Sequence, residues 1–195
     1  MTETIFSILL GIGLAASVGF RVFVPLFALS IASHFGVLPL NDSWEWVGST
    51  TAMITLGIAT VFEIGAYLIP WFDNALDTIA VPLAAIAGTA VMLSTAAGLD
   101  PVVTWSLAII AGGGTATAIK ASTSTTRLAS TATTGGLANP IVGIVESGSS
   151  IIMSILAFVA PVLAIIFVII TLWLIFKVFK WFKPKQKPLI DTSDG

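Results

Sequence analysis

Apolar residues run along this chain in long blocks rather than in the alternating or one-faced patterns of a water-soluble domain. A membrane-crossing helix needs about 20 mostly apolar residues. Six blocks qualify, at about 5–34, 46–71, 76–98, 102–121, 138–157 and 159–182. Polar punctuation separates them. Pro39-Leu40-Asn41-Asp42-Ser43 predicts a turn and a helix start after the first block. Asp73, just after Pro70-Trp71-Phe72, is expected to cap the third helix. Asp100-Pro101 is expected to open the fourth and Asn139-Pro140 the fifth. The predicted fold class is an all-α polytopic membrane protein with about six transmembrane helices. It forms a single membrane domain over 1–195, with a cytoplasmic tail at 183–195.

Two stretches depart from the simple pattern. In Gly19-Phe20-Arg21-Val22-Phe23-Val24-Pro25 the proline removes a backbone donor, so a broken first span is expected. From Thr115 to Thr134, eleven of twenty residues are Ser or Thr, with Lys120 and Arg127 among them. Such a segment cannot face lipid as extended chain, because its backbone groups would lack partners. It is a helix packed inside the protein, a re-entrant segment or a polar loop; small residues favour close helix packing for at least its first half. Gly112-Gly113-Gly114 just before it predicts a close approach or a break.

Composition supports the membrane assignment. Apolar residues make up 56% and charged residues 9%, with a mean hydropathy of +1.04, against roughly 25% charged in soluble proteins. The formal net charge is −2 and no basic stripe precedes the tail, which disfavours nucleic acid. Cysteine is absent and His34 is the single histidine, which excludes thiol chemistry and two-histidine zinc sites. No cofactor is implied. No nucleophile and base are recognisable together, so an enzyme is not expected. The N-terminus lacks the basic region of a signal peptide, so the first block is expected to be retained. Lys177, Lys180, Lys183, Lys185 and Lys187 place the C-terminal end in the cytoplasm by the positive-inside rule, with Trp173 and Trp181 as interfacial anchors. Six spans then put both termini there.

The two halves share an order of features. Gly13 precedes Phe20-Arg21 as Gly112 precedes Ile119-Lys120. Glu63-Ile64-Gly65 is echoed by Glu146-Ser147-Gly148, and Ala80-Val81-Pro82 by Val159-Ala160-Pro161. Residues 5–98 and 102–182 therefore read as two repeats. With three spans each, the second must be inverted, a recurrent design of secondary transporters.

The intramembrane charges carry the candidate chemistry. Arg21, Lys120, Glu63 and Glu146 lie deep in apolar sequence. A charge there costs at least about 2.5–3.5 kcal/mol, so it pairs or lines a polar pathway. One expectation is two buried ion pairs, Arg21 with one glutamate and Lys120 with the other. The alternative is a site where Arg21, Lys120, Arg127 and Asn74 meet an anion while Glu63 and Glu146 carry protons or balance the charge. Asp73 and Asp77, four apart on one helix face, are either a solvated first turn or a cation site, with no metal specified.

The sequence Gly11-x-Gly13 leading to Gly19-Phe20-Arg21-Val22-Phe23-Val24-Pro25-Leu26, then Glu63-x-x-x-Tyr67-x-x-Pro70-Trp71-x-Asp73-Asn74-x-Leu76-Asp77, then Pro82 and Gly88, resembles the bacterial membrane proteins grouped as domain of unknown function 4126. The resemblance covers about residues 5–165. It implies a polytopic membrane protein of about this size and carries no activity with it. The chain is more loosely similar to trimeric intracellular cation channels, but lacks their glycine-arginine-aspartate pattern. The expected function is a small secondary transporter for an anionic solute or lipid headgroup, open to proton coupling, with a central charged site at the repeat interface. The alternatives are an ion channel with a Ser/Thr-lined pore and a structural membrane protein. The expected partners are the lipid bilayer, the small anion or lipid, and a second copy of the chain.

Overall fold

The computed structural model describes residues 2–182, with the side chains at 70–74, 178–179 and 181–182 outside the description. Lys183, Lys185, Lys187 and the side chain of Trp181 therefore lie outside the described residues, as do the side chains of Asp73 and Asn74. Every regular element among the described residues is helical. In chain order they are α1 (Thr2–Phe20), α2 (Phe23–His34), a 3₁₀ turn (Asp42–Gly48), α3 (Thr50–Ala66), α4 (Pro70–Thr95), α5 (Pro101–Leu107), a π-helical segment (Ala108–Gly113), α6 (Gly114–Thr134), α7 (Asn139–Val159) and α8 (Pro161–Phe182).

Four stretches are long and apolar enough to cross a membrane: Thr2–Phe20, Ala75–Thr95, Pro101–Thr134 and Asn139–Val159. Asp42–Gly48 and Thr50–Ala66, bent by 65°, are either one broken span, which makes a fifth, or a re-entrant loop. The protein is a helical membrane protein. Length and composition alone do not reach the expected six. The block at 5–34 divides, because α1 is long enough by itself and Phe23–His34 is a short apolar helix beside it.

The division has a local cause. Proline clashes with the carbonyl four residues before it, and for Pro25 that residue is Arg21. The helix ends at Phe20 and restarts at Phe23, leaving Pro25 in the first turn of α2 where a missing donor costs nothing. Other starts follow the same chemistry. Asp100 accepts from the Val102 amide at 2.9 Å ahead of α5, and Ser49 accepts from the Ala52 amide ahead of α3. The third span starts earlier than expected: α4 begins at Pro70 with Ile69 before it, so Asp73 lies inside the helix and not ahead of it. A proline at the first position, already lacking its amide, starts the helix one turn early.

Residues 115–134 are helix throughout and no polar loop. Thr125, Thr126, Thr133 and Thr134 each donate a hydroxyl to the carbonyl four residues back, so these four side chains are satisfied along their own helix, while Ser124 reaches Asp77 of α4. The glycine run does what its composition predicts. An added Cβ on Gly112 would lie 2.6 Å from the Gly88 carbonyl oxygen, so α4 and the π-helical segment touch backbone to backbone.

α1 is the central post, packed on α4, α6, α7 and α8. Its buried face is rich in small residues: Gly11, Gly13, Ala15, Ala16, Ser17 and Gly19. Association in lipid relies on such close packing and on interhelical hydrogen bonds. Ser17 provides both, meeting the Ser150 carbonyl at 2.7 Å and the hydroxyls of Ser150 and Ser154 at 2.8 and 2.7 Å. Leu10, Leu14, Val18, Ile119 and Met153 complete the apolar core around it.

Candidate functional site

The break between α1 and α2 leaves the amides of Val22 and Phe23 without intrahelical acceptors, as at any helix start. Glu63, near the end of α3, supplies both. Its Oε1 accepts from Val22 at 2.8 Å and its Oε2 from Phe23 at 2.9 Å. The carboxylate thereby caps α2 from another helix, inside the protein.

Arg21 stands at the same break with no exposed surface. Its Nε donates to Ser147 Oγ at 3.1 Å and its Nη2 to the Gly143 carbonyl at 2.8 Å. Its Nη2 also lies 3.6 Å from Glu146 Oε2. Gly143 permits this approach, since a Cβ there would meet Arg21 Nη2 at 3.2 Å. Arg21 Nη1 is buried and makes no hydrogen bond.

Lys120 and Arg127 are seven residues apart on α6, two turns, so they share a face. Arg127 binds Glu146 of α7 in two places: Nε to Oε1 at 3.1 Å, and Nη2 to Oε2. Asp77 of α4 lies 3.9 Å from Arg127 Nε. Lys120 is wholly buried, and its Nζ makes no hydrogen bond.

All three cations face one ring. Arg21, Arg127 and Lys120 lie 4.0, 4.3 and 4.9 Å from the centroid of Tyr67. The negative face of an aromatic ring attracts cations, more strongly when water is excluded. The Tyr67 hydroxyl points toward Asp77 Oδ1, a long contact of 3.4 Å. An apolar groove of about 310 Å³ reaches Glu63 and Tyr67 between α2, α3 and α4. A second, of about 250 Å³, reaches Glu146 past Thr123, Thr126 and Ser149.

The arrangement revises the expected pairing. Arg21, Lys120, Glu63 and Glu146 do converge, but not as two separate pairs. Glu146 is held by Arg127 with Arg21 close by, Glu63 serves backbone amides, and among the described residues Lys120 enters no ion pair. The reason is reach: the α1–α2 break puts two backbone donors nearer Glu63 than either cation. Asp77 faces Arg127 and Tyr67, and among the described residues there is no group of three metal-ligating side chains.

The comparisons agree with the motif that runs through this site. The family model described as Domain of unknown function (DUF4126) matches residues 8–181. The chain belongs to this family. No curated protein and no solved structure matches it significantly. In this DUF4126 member, the matched region contains every residue of the cluster.

Tyr67 is the residue that reasoning from charges passed over. It is the single tyrosine in the chain and follows Glu63 by four residues, hence on the same helix face. That combination was the available signal. Ser147 and Gly143 carried none, because a serine or glycine in an apolar helix is ordinary packing material.

Proposed function

We propose that this protein is a small secondary transporter that carries an anionic solute or lipid headgroup through the Tyr67 cluster. One observation carries the proposal. Among the described residues, the buried Nζ of Lys120 has no hydrogen-bond partner, and Arg21 Nη1 is in the same condition against the same ring. Buried polar groups are almost always satisfied, and a charge within a membrane that is not paired marks a substrate or ion pathway. Two such donors in one place suit an acceptor from outside the chain.

The proposal includes six crossings arranged as two inverted three-helix repeats, with both termini on the cytoplasmic face of a bacterial inner membrane. The shared interruption of the leading helices supports the repeat. In the first half α1 breaks before α2, and in the second a π-helical turn precedes α6. Arg21 and Lys120, the residues at matched places after Gly13 and Gly112, face one ring.

A second reading is favoured by the two-point Arg127–Glu146 pair: the charges orient helices and nothing moves. Uptake into proteoliposomes separates the two. With transport, Arg21→Ala and Lys120→Ala abolish flux while the detergent-solubilised protein stays monodisperse. Arg21→Lys also weakens it, because an ammonium cannot bind oxyanions in two places as a guanidinium does. Full flux in both alanine variants would leave the cluster as structural.

A further inference from the structure

We propose that Glu63 is the proton carrier of the cluster: one proton enters on Glu63 as one monoanion enters on Lys120 and Arg21. The inference rests on the transport reading above and deepens it by assigning the coupling ion, its residue and its stoichiometry.

Charge arithmetic selects the residues. The described cluster holds three cations, Arg21, Lys120 and Arg127, and three carboxylates, Glu63, Glu146 and Asp77. Arg127 and Arg21 are matched by Glu146 and Asp77 within ion-pair distance. Lys120 and Glu63 remain, one group of each sign, both buried and neither in an ion pair among the described residues. An anion on Lys120 alone would leave the site with a net negative charge in a low-dielectric setting, which is expensive. A proton on Glu63 cancels it. Glu146 is already engaged, bound by Arg127 in two places with Arg21 Nη2 at 3.6 Å, whereas Glu63 meets only backbone amides.

The surroundings of Glu63 are consistent with this role. The break contributes Arg21 and the Val22 and Phe23 amides, α6 contributes Lys120, and Tyr67 stands on its own helix with Asp77 of α4 beyond. Glu146 of α7 acts on the same two cations. An anion bound on Arg21 and Lys120 offsets the part of the local field that favours a charged Glu63, so binding and protonation favour each other. Protonation also has a mechanical result. Hydrogen bonds to an ionised acceptor are roughly twice as strong as neutral ones, so a neutral Glu63 loosens its hold on the α2 N-terminus. The break in the first span then becomes the element that moves.

The test uses the full chain in lipid nanodiscs. Infrared difference spectra between neutral and acidic buffer report the stretch of a protonated carboxyl. We expect a band that is absent in Glu63→Gln, retained in Glu146→Gln, and shifted but present in Glu63→Asp, which guards against loss of fold. Chloride, nitrate or inorganic phosphate should move its midpoint to higher pH, by linkage, and Lys120→Met should remove that movement. A band that survives in Glu63→Gln, or a midpoint that none of the three anions moves, overturns the inference. Proteoliposome flux of the same anions separates the two levels. Wild-type flux whose pH dependence persists in Glu63→Gln overturns the coupling and leaves transport standing. Absence of flux despite an anion-sensitive Glu63 overturns transport and coupling together.

Discussion

Arg127 and Glu146, nineteen residues apart, meet inside the protein as a two-point ion pair that joins α6 to α7. Arg21 of the α1–α2 break reaches the same carboxylate at 3.6 Å. One carboxylate therefore ties three parts of the chain.

Removing that carboxylate should be costly. Breaking a buried pair by deleting one partner costs about 3–5 kcal/mol, whereas replacing both with apolar residues is often neutral. Glu146→Ala is expected to lower the thermal midpoint in detergent sharply. The double variant Arg127→Met with Glu146→Leu should be less destabilised than Glu146→Ala alone, because the guanidinium leaves together with its carboxylate.

The cap on α2 predicts a local effect. Loss of a helix cap typically costs about 1 kcal/mol. In Glu63→Ala the amides of Val22 and Phe23 should exchange hydrogen faster, while the amides within α7 keep their protection. Unchanged exchange at those two amides would show that Glu63 does not hold them.

The glycine run offers an internal control. A Cβ on Gly112 would crowd the Gly88 carbonyl and Met92, at 2.6 and 2.7 Å, whereas one on Gly114 meets nothing within 4 Å. Overpacking costs about 1–3 kcal/mol, so Gly112→Ala should destabilise. Gly114→Ala should be neutral or stabilising by up to about 1 kcal/mol, since alanine is the better helix former. Thermal denaturation of both variants side by side checks the difference.

Topology is testable at the end of α8, where Lys177 lies over the Trp173 ring at 4.9 Å. A reporter fused after Gly195 should read as cytoplasmic. Neutralising Lys177, Lys180, Lys183, Lys185 and Lys187 together should loosen that orientation, because basic residues beside a span set it. A periplasmic reading from the unaltered chain would sink the proposed orientation.

Much of this protein was legible in its residues because the forces involved act before any fold exists. Long apolar blocks must be helical in lipid, where each backbone group needs an internal partner. Pro25 disfavours a continuous helix through Arg21, since the clash lies within one turn, although Pro82 sits inside the unbroken α4 and shows that packing decides between a kink and a break. A lone charge in such a block is expensive in every arrangement, so Arg21, Lys120, Glu63 and Glu146 stood out from spacing alone. The partners of those charges were another matter. Pairing follows distances between helices that are remote in sequence, and these come from the packing of α1 against α4, α6 and α7. Only that packing set Arg127 on Glu146, gave Glu63 to the amides of Val22 and Phe23, and gathered three cations about Tyr67. Sequence determined which groups could not be left alone in the membrane; tertiary structure decided which of them met.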